Sequence, residues 1–231
     1  MLNFCKYSDF DLWDVVLEGN LLYLCQNIQF MVKRFFKLAA VVAVIGAAVC
    51  SCSSKGDFTE MEKEIILGAQ DTILKVYKID NEEDLKVLRD TSTDLGVKAI
   101  ESELYAVLAQ RLVETVTHPL VDGVGLAAPQ IGINRRVVAV QRFDKEGEPF
   151  EVYPNISIME KSQELAPGPE GCLSVPNQRH EVMRHTWVTI QYYSLQEHKV
   201  IQERIEGFTA VIFQHEVDHL SGVLYIDRVG Q

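Results

Sequence analysis

The sequence predicts an α+β fold in which mixed or antiparallel strands pack around one central helix. Apolar residues recur at three- and four-residue spacing in two separated stretches of the chain, which indicates helices with one buried face. The stretches between them are rich in β-branched and aromatic residues with partial alternation, which indicates strands. Helix, several strands and then helix is an element order typical of α+β domains, and the sequence contains no internal repeat.

Two helices are predicted ahead of the strands. In the region between Val97 and Val116 one helix face is apolar, formed by Ile100, Leu104, Val107, Leu108 and Leu112. The run Thr117–Pro119 should end this helix, because proline disfavours helical backbone at the residue before it. The shorter stretch Glu60–Gln70 is charged and partly apolar, and it predicts an amphipathic helix or an ordered lead-in.

The strands are predicted in the second half of the chain. Four stretches have strand character, namely Arg136–Phe143, Phe150–Met159, Trp187–Tyr193 and Leu224–Asp227. Asp144–Glu148 contains a glycine and predicts a turn, and Glu164–Gly171 predicts a loop. Helical spacing returns in Gly207–Ser221, which is the predicted central helix.

Composition limits the classes of function. Of the 231 residues, 47% are hydrophobic and 24% are charged, as in ordinary globular proteins, so a disordered chain is excluded. The formal net charge is −11, and an acidic protein repels phosphate backbones, so we expect no nucleic-acid partner. The five cysteines are too few and too clustered to predict a disulfide framework.

An uncharged stretch, Leu38–Cys50, lies near the amino terminus. It has thirteen residues, and basic residues precede it at Lys33, Arg34 and Lys37. A membrane span needs about 20 apolar residues, whereas a basic region, a short apolar region and a small-residue exit are the layout of a signal peptide. The segment resembles a bacterial lipoprotein signal with Cys52 as the lipidated residue, which predicts a lipid anchor at the cell envelope. A retained membrane anchor or a buried helix is the alternative, and a cytoplasmic location follows if the signal is not used.

This leader predicts how the chain is divided. A signal peptide begins a protein, so we expect translation to start at Met31 and residues 1–30 to be an over-extended reading frame. Residues 31–52 are then the signal, 53–72 a linker or lead-in helix, and 73–231 the main domain. Residues 1–30 carry a net charge of −3 and residues 31–52 carry +3, so the whole charge of −11 belongs to 53–231.

The motif with the clearest chemistry is His215-Glu216-Val217-Asp218-His219 in the predicted central helix. Residues at i and i+4 share one helix face, so both imidazoles can bind one metal ion while Glu216 reaches a metal-bound water. A polar helix with two unremarkable histidines is the alternative. A catalytic site also needs a third protein ligand, and few candidates follow His219. Cys172 is the upstream candidate, although a lone cysteine is more often a small buried hydrophobe.

Three segments contain distinctive short motifs, Gly123–Gly132 (GVGLAAPQIG), Glu170–Val175 (EGCLSV) and Gln214–Leu220 (QHEVDHL). In this order and spacing they resemble the peptide deformylase family. The resemblance covers about Ile73 to Arg228, so we expect 73–231 to be a deformylase catalytic domain. The implied activity is removal of the N-terminal formyl group from N-formylmethionyl peptides, with release of formate.

The resemblance implies a role for individual residues. The matching metal ligands are Cys172, His215 and His219, with water in the fourth position. Glu216 matches the general acid and base, and Gln130 and the backbone N–H of Leu173 match the two donors to the developing oxyanion. The implied metal is Fe2+, for which Zn2+ or Ni2+ can substitute.

The resemblance also implies residues that bind the substrate. The matching positions along a strand edge and in the methionine pocket are Gly123, Val124, Gly125, Val211 and Ile212. Tight backbone geometry at the glycines and ordinary core packing at the apolar positions are the structural alternatives. Arg179 and Arg184 read as solvated surface without an assigned role.

Two alternatives to a deformylase stay open at this point. One is an exported amide hydrolase with the same scaffold, and the other is a surface-tethered lipoprotein that binds a metal or a peptide without catalysis. The complete set of matching catalytic positions argues against the second alternative. The sequence predicts no oligomeric state.

Overall fold

The fold is that of a computed structural model, which describes residues 56–68 and 73–230. The predictions for residues 1–30, for the signal segment 31–52 and for lipidation at Cys52 lie outside the described residues. Within the described ranges, no helix combines the length and the hydropathy needed to cross a membrane.

Helices form the first part of the described chain. Their bounds are Glu60–Leu67 (α1), Glu82–Leu88 (α2), Val97–Ile100 (α3) and Glu103–Val116 (α4). The prediction of one continuous helix from Val97 to Val116 is wrong, because Ser102 interrupts it. The Ser102 hydroxyl donates to the Ala99 carbonyl at 2.6 Å and accepts from the Tyr105 N–H at 3.3 Å, which caps a new helix.

The strands form three antiparallel sheets. Their bounds are Gly125–Ala127 (β1), Val137–Gln141 (β2), Phe150–Pro154 (β3), Ser157–Lys161 (β4), Leu165–Cys172 (β5), Val175–His185 (β6), Trp187–Ser194 (β7) and Lys199–Glu206 (β8). The strand orders are β1-β2-β3, β4-β7-β8 and β5-β6. A short 3₁₀ helix, Ala128–Ile131, follows β1 directly. The α+β prediction with antiparallel strands is therefore confirmed.

Three of the predicted strand and loop regions need correction. The predicted loop Glu164–Gly171 is strand β5, which pairs with β6 in a long hairpin. Its two prolines lie two residues apart, so their missing N–H groups share the unpaired edge of the strand. The predicted strand Phe150–Met159 is two strands in different sheets, because Asn155 adopts a φ of 53° and bonds the backbone of Leu95.

The predicted strand Leu224–Asp227 is also wrong, because this region is a 3₁₀ helix, Tyr225–Arg228. Asp227 closes the turn with both its backbone and its side chain: its N–H donates to the Leu224 carbonyl at 2.9 Å, and its carboxylate accepts from the Leu224 N–H at 2.8 Å. We call Tyr225–Arg228 the C-terminal turn.

The last α-helix, Gly207–His219 (α5), lies in the centre of the domain and contacts strands of all three sheets. Ile212 and Phe213 from α5 pack with Val138 and Val140 of β2 in one buried cluster. A second cluster joins the apolar face of α4 to the sheet β1-β2-β3. The central helix is therefore held by packing on several sides, which fixes the direction in which its polar residues face.

Candidate metal centre and active site

Three side chains converge where α5 meets the turn between β5 and β6. His215 and His219 lie one turn apart on α5, and Cys172 is the last residue of β5. One ligand atom from each of the three lies within 4.8 Å of the others, and the Cys172 Sγ is 3.3 Å from the His219 Nε2. A thiolate and two imidazoles within this distance can share one metal ion, and this donor set suits zinc, iron or nickel.

His215 is oriented by a carboxylate on β5. Its Nδ1–H donates to Glu170 at 2.8 Å, which directs Nε2 away from Glu170 and leaves it available as a ligand. Burial by itself raises the pKa of Glu170, but hydrogen bonds from Arg184 and His215 outweigh this effect and lower the pKa to about 2. Glu170 is thus a permanent anion that holds the histidine.

Glu216 is buried next to these three residues. Glu216 is only 4% exposed. Among the described residues, none forms a hydrogen bond with its Oε2. Burial is the main cause that raises the pKa of Glu216 to about 7. A carboxyl group with a pKa near neutrality can both take and return a proton.

Gly125 makes room for this carboxylate. A Cβ atom at Gly125 would lie 2.4 Å from the Glu216 Oε1 and 2.9 Å from its carboxyl carbon. Gly123 is less constrained, because a Cβ there would lie 3.0 Å from side-chain atoms of Leu173 and Val116. Glycine at position 125 is therefore required by the space that Glu216 occupies.

Gln130 is held rigidly beside the cysteine. Its Oε1 accepts from the Ala127 N–H at 2.8 Å, and its Nε2 donates to the Ser174 hydroxyl at 3.1 Å. The same Nε2 lies 3.6 Å from the Cys172 Sγ. The amide N–H groups of Gln130 therefore face the same space as the three candidate ligands.

These residues border one cavity of about 730 Å³. The predicted site residues that line it are Gly123, Val124, Gly125, Gln130, Cys172, Leu173, Val211, Ile212, His215 and Glu216. His219 lies behind the cavity wall and reaches the site through its contact with Cys172. The structure thus brings the predicted residues together in one place.

The interpretation of Arg184 as solvated surface is wrong. Arg184 is buried, and its guanidinium donates to Glu170 at 2.6 and 2.9 Å and to Asp218 at 2.6 Å. Arg184 therefore stands directly behind the carboxylate that orients His215. Val182, two residues earlier on β6, is also buried, so the two side chains lie on the inward face of that strand.

The comparison with known families agrees with this geometry. The family model described as polypeptide deformylase matches residues 73–231. The chain belongs to the peptide deformylase family. A peptide deformylase of Caulobacter vibrioides is 39% identical over 161 residues, which are 69% of this chain and 89% of that relative. A peptide deformylase of Leptospira biflexa is 38% identical over 164 residues, which are 68% of this chain and 88% of that relative.

Solved deformylase structures share the fold. The class I type b peptide deformylase of Acinetobacter baumannii has been determined with Met-Ala-Ser bound. It is 35% identical with a TM-score of 0.60, and the match covers 68% of this chain and 99% of that one. The peptide deformylase of Thermotoga maritima is 32% identical with a TM-score of 0.59, over 69% of this chain and 99% of that one.

Peptide deformylases are metal-dependent hydrolases that act on N-formylmethionyl peptides, and this chain is an enzyme of that family. The sequence-based prediction of the family and of its activity is confirmed. The exported amide hydrolase and the non-catalytic lipoprotein are correspondingly disfavoured.

Proposed function

We propose that Cys172, His215 and His219 hold the metal ion of this deformylase, and that Fe2+ is the physiological metal, with Zn2+ or Ni2+ able to substitute. The observation that supports this most directly is the convergence of the three ligand atoms within 4.8 Å beside a buried carboxylate. A bound metal ion lowers the pKa of water and polarises a carbonyl oxygen.

Glu216 moves the proton in this proposal. Hydrolysis adds the oxygen of water to the formyl carbon and breaks the bond between that carbon and the methionine nitrogen. Glu216 takes one proton from the attacking water and returns it to the leaving nitrogen, so the products are formate and a free amino terminus. A pKa of about 7 matches both halves of this exchange.

Gln130 and Leu173 stabilise the charge that develops on the formyl oxygen. The Gln130 amide is fixed by its bond to the Ala127 N–H, so its Nε2 keeps a defined position beside the Cys172 Sγ. The backbone N–H of Leu173 follows Cys172 directly and is the second donor. Preorganised donors of this kind contribute roughly 3–4 kcal/mol each to transition-state stabilisation.

The substrate peptide lies along β1 in this proposal. β1 is at the end of its sheet, so an extended peptide that enters the cavity can add to it as a strand beside Gly123, Val124 and Gly125. Val211 and Ile212 border the same cavity and offer an apolar surface to the methionine side chain. The Met-Ala-Ser bound to the Acinetobacter baumannii relative supports a peptide of this kind.

Formate release from formyl-Met-Ala-Ser by the full chain tests the proposal. We expect release with Fe2+ under anaerobic conditions, retained release with Ni2+, and none after the metal is removed by a chelator. Acetyl-Met-Ala-Ser serves as the control amide and should not be cleaved. Absence of formate with every divalent metal, or equal cleavage of the acetyl peptide, would contradict the proposal.

We also propose the division into a reading-frame extension 1–30, a signal 31–52 lipidated at Cys52, a lead-in 53–72 and a catalytic domain 73–231. The basic, apolar and small-residue order of 31–52 supports it. Palmitate labelling of the wild type against Cys52→Ala in a bacterial host tests the anchor. Equal labelling of the two, or peptides from residues 1–30 in the purified precursor, would contradict this division.

A further inference from the structure

The C-terminal turn touches the candidate ligand His215 directly. The ring of Tyr225 lies nearly parallel to the His215 imidazole, with 6.0 Å between the ring centroids and 23° between the planes. Tyr225 is buried, and it packs with Val175 and Val182 of β6 and with Leu224. The Tyr225 ring therefore lies alongside the His215 imidazole, with the two planes nearly parallel.

The C-terminal turn is also connected to His215 through a series of ion pairs. Arg228 donates two hydrogen bonds of 2.5 Å to the two oxygens of Asp218 on α5. Asp218 also accepts from Arg184 at 2.6 Å, and Arg184 binds both oxygens of Glu170. Glu170 accepts from the Nδ1–H of His215, so four side chains of alternating charge connect the end of the chain to the candidate ligand.

The turn is itself anchored to the rest of the domain. Arg89, at the C-terminal end of α2, pairs with Asp227 and donates to the Gly222 carbonyl at 3.2 Å. The Asp227 carboxylate closes the turn through the Leu224 N–H. Tyr225 and Arg228 are therefore presented from a fixed piece of backbone.

We propose that the C-terminal turn is a positioning element for the metal ligand His215, with Tyr225 and Arg228 as its positioning residues. The inference rests on the proposed role of His215 as a ligand. A hydrogen bond at Nδ1 sets the direction of Nε2, and a stacked ring sets the plane of the imidazole, so the two contacts together define the orientation that a metal ion requires.

The exposure of the Arg228 side chain distinguishes a role in positioning His215 from a role in stabilising the fold. The Arg228 side chain is 37% exposed, and the ion pair of so exposed a group contributes little to the stability of the fold. The next two side chains in this series of ion pairs, Arg184 and Glu170, are only 5% and 6% exposed. If Asp218 moves, Arg184 and Glu170 must therefore move with it, because neither can pair with water instead. Loss of Arg228 should therefore affect metal affinity more than folding.

The test compares Arg228→Gln and Arg228→Lys with the control Arg204→Gln in the full chain. Arg204 forms an exposed ion pair with Glu206 on β8, away from the candidate ligands. Two quantities are measured: the Zn2+ dissociation constant by competition with a chromogenic chelator, and the unfolding temperature of the metal-free protein by circular dichroism.

We expect Arg228→Gln to raise the Zn2+ dissociation constant about tenfold, as the loss of a residue that supports a ligand typically does. Arg228→Lys should recover part of the affinity, and Arg204→Gln should leave it unchanged. An Arg228→Gln protein with wild-type Zn2+ affinity would overturn the proposal, and so would a lowered unfolding temperature without a change in affinity.

Tyr225 provides a second variant pair. Tyr225→Phe keeps the ring and should keep the wild-type Zn2+ affinity, whereas Tyr225→Leu removes the flat face and should weaken binding. Equal affinity in both variants would overturn the role of Tyr225. The variant Cys172→Ser separates this inference from the proposed function: if it binds Zn2+ as tightly as the wild type, the ligand assignment itself has failed.

Discussion

Two buried arginines in this protein have the same chemistry and different consequences. Arg184 binds carboxylates on β5 and α5, and we call Glu170, Arg184, Asp218 and Arg228 the Arg184 cluster. Arg142 follows β2 and binds three carboxylates, and we call Arg142, Asp144, Glu151, Tyr153 and Glu203 the Arg142 cluster. The side chains of the two arginines are 5% and 2% exposed.

The partners of the two arginines differ in two ways. In the Arg142 cluster, the three carboxylates are each about one third exposed, at 31%, 34% and 30%, and they tie β2, β3 and β8 together. In the Arg184 cluster, Glu170 is buried and also holds His215. Burying an arginine among carboxylates thus joins strands in one place and orients the candidate ligand His215 in the other.

The largest expected effect is a difference in kcat/KM between a glutamate-to-glutamine change beside the candidate ligands and one in the Arg142 cluster. Glu216→Gln removes the proposed proton-transfer group, so kcat/KM for formyl-Met-Ala-Ser should fall roughly 10²–10⁴-fold. The matched change Glu203→Gln in the Arg142 cluster should leave kcat/KM unchanged. Steady-state formate release measures both, and metal analysis should show that Glu216→Gln retains its metal. Comparable activity of the two variants would remove Glu216 from the mechanism.

The next largest expected effect is on the free energy of unfolding when Arg184 or Arg142 is replaced by methionine. Arg184→Met removes the buried cation that pairs with Glu170 and leaves that carboxylate with only the His215 N–H, so the free energy of unfolding of the metal-free protein should fall by about 3–5 kcal/mol. Arg142→Met should cost less, because its carboxylates can be hydrated at the surface. Urea unfolding of the two metal-free variants measures the difference, and a larger loss in Arg142→Met would reverse the comparison.

A smaller effect on kcat/KM is expected from adding a methyl group at Gly125, which is compared with the same change at Gly168. Gly125→Ala places a Cβ atom 2.4 Å from the Glu216 carboxylate, so the carboxylate must move and kcat/KM should fall about 10²-fold. Gly168→Ala on β5 is the control, because nothing lies within 4 Å of the added atom. Formate release measures both variants. Full activity of Gly125→Ala would show that Glu216 tolerates displacement.

The pH dependence of the Arg142 cluster should be the smallest effect. The hydrogen bond from Arg142 holds the pKa of Asp144 below its ordinary value of 3.8. Burial raises the pKa of Glu151, but the hydrogen bonds from Lys145 and Tyr153 outweigh burial and hold this pKa below its ordinary value of 4.5. A carboxyl group with a lowered pKa in the folded state stabilises the fold above its ordinary pKa, and this contribution is lost as the pH falls through the lowered value.

The stability advantage of the wild type over Arg142→Met should therefore be constant at neutral pH and shrink below about pH 4. Urea unfolding of the metal-free proteins between neutral and acidic pH checks this trend. An advantage that grows on acidification would contradict the assigned direction of the Asp144 pKa shift.

Local spacing predicted much of the fold and failed where a distant contact decided the backbone. The helix that carries His215 and His219 was predicted from periodicity. Strand β5 was missed because its two prolines and two glycines read as a loop, and only the pairing with β6 makes it a strand. The break at Asn155 depends on its hydrogen bonds with Leu95, sixty residues away, which no local pattern contains.

The candidate site was predicted from its motifs to a greater extent than the fold. Ten of the eleven site residues that the resemblance implied line one cavity, and His219 is the exception. Arg184 was missed because a single arginine on a strand carries no sign of the buried carboxylates that surround it.

The sequence by itself determined that the imidazoles of His215 and His219 share one helix face, because the geometry of an α-helix places residues i and i+4 together. Only the tertiary structure decided that Cys172 meets His219, that Gly125 leaves space for Glu216, and that the C-terminal turn supports His215. These contacts join residues far apart in the chain, and their distances are set by how the central helix packs against three sheets.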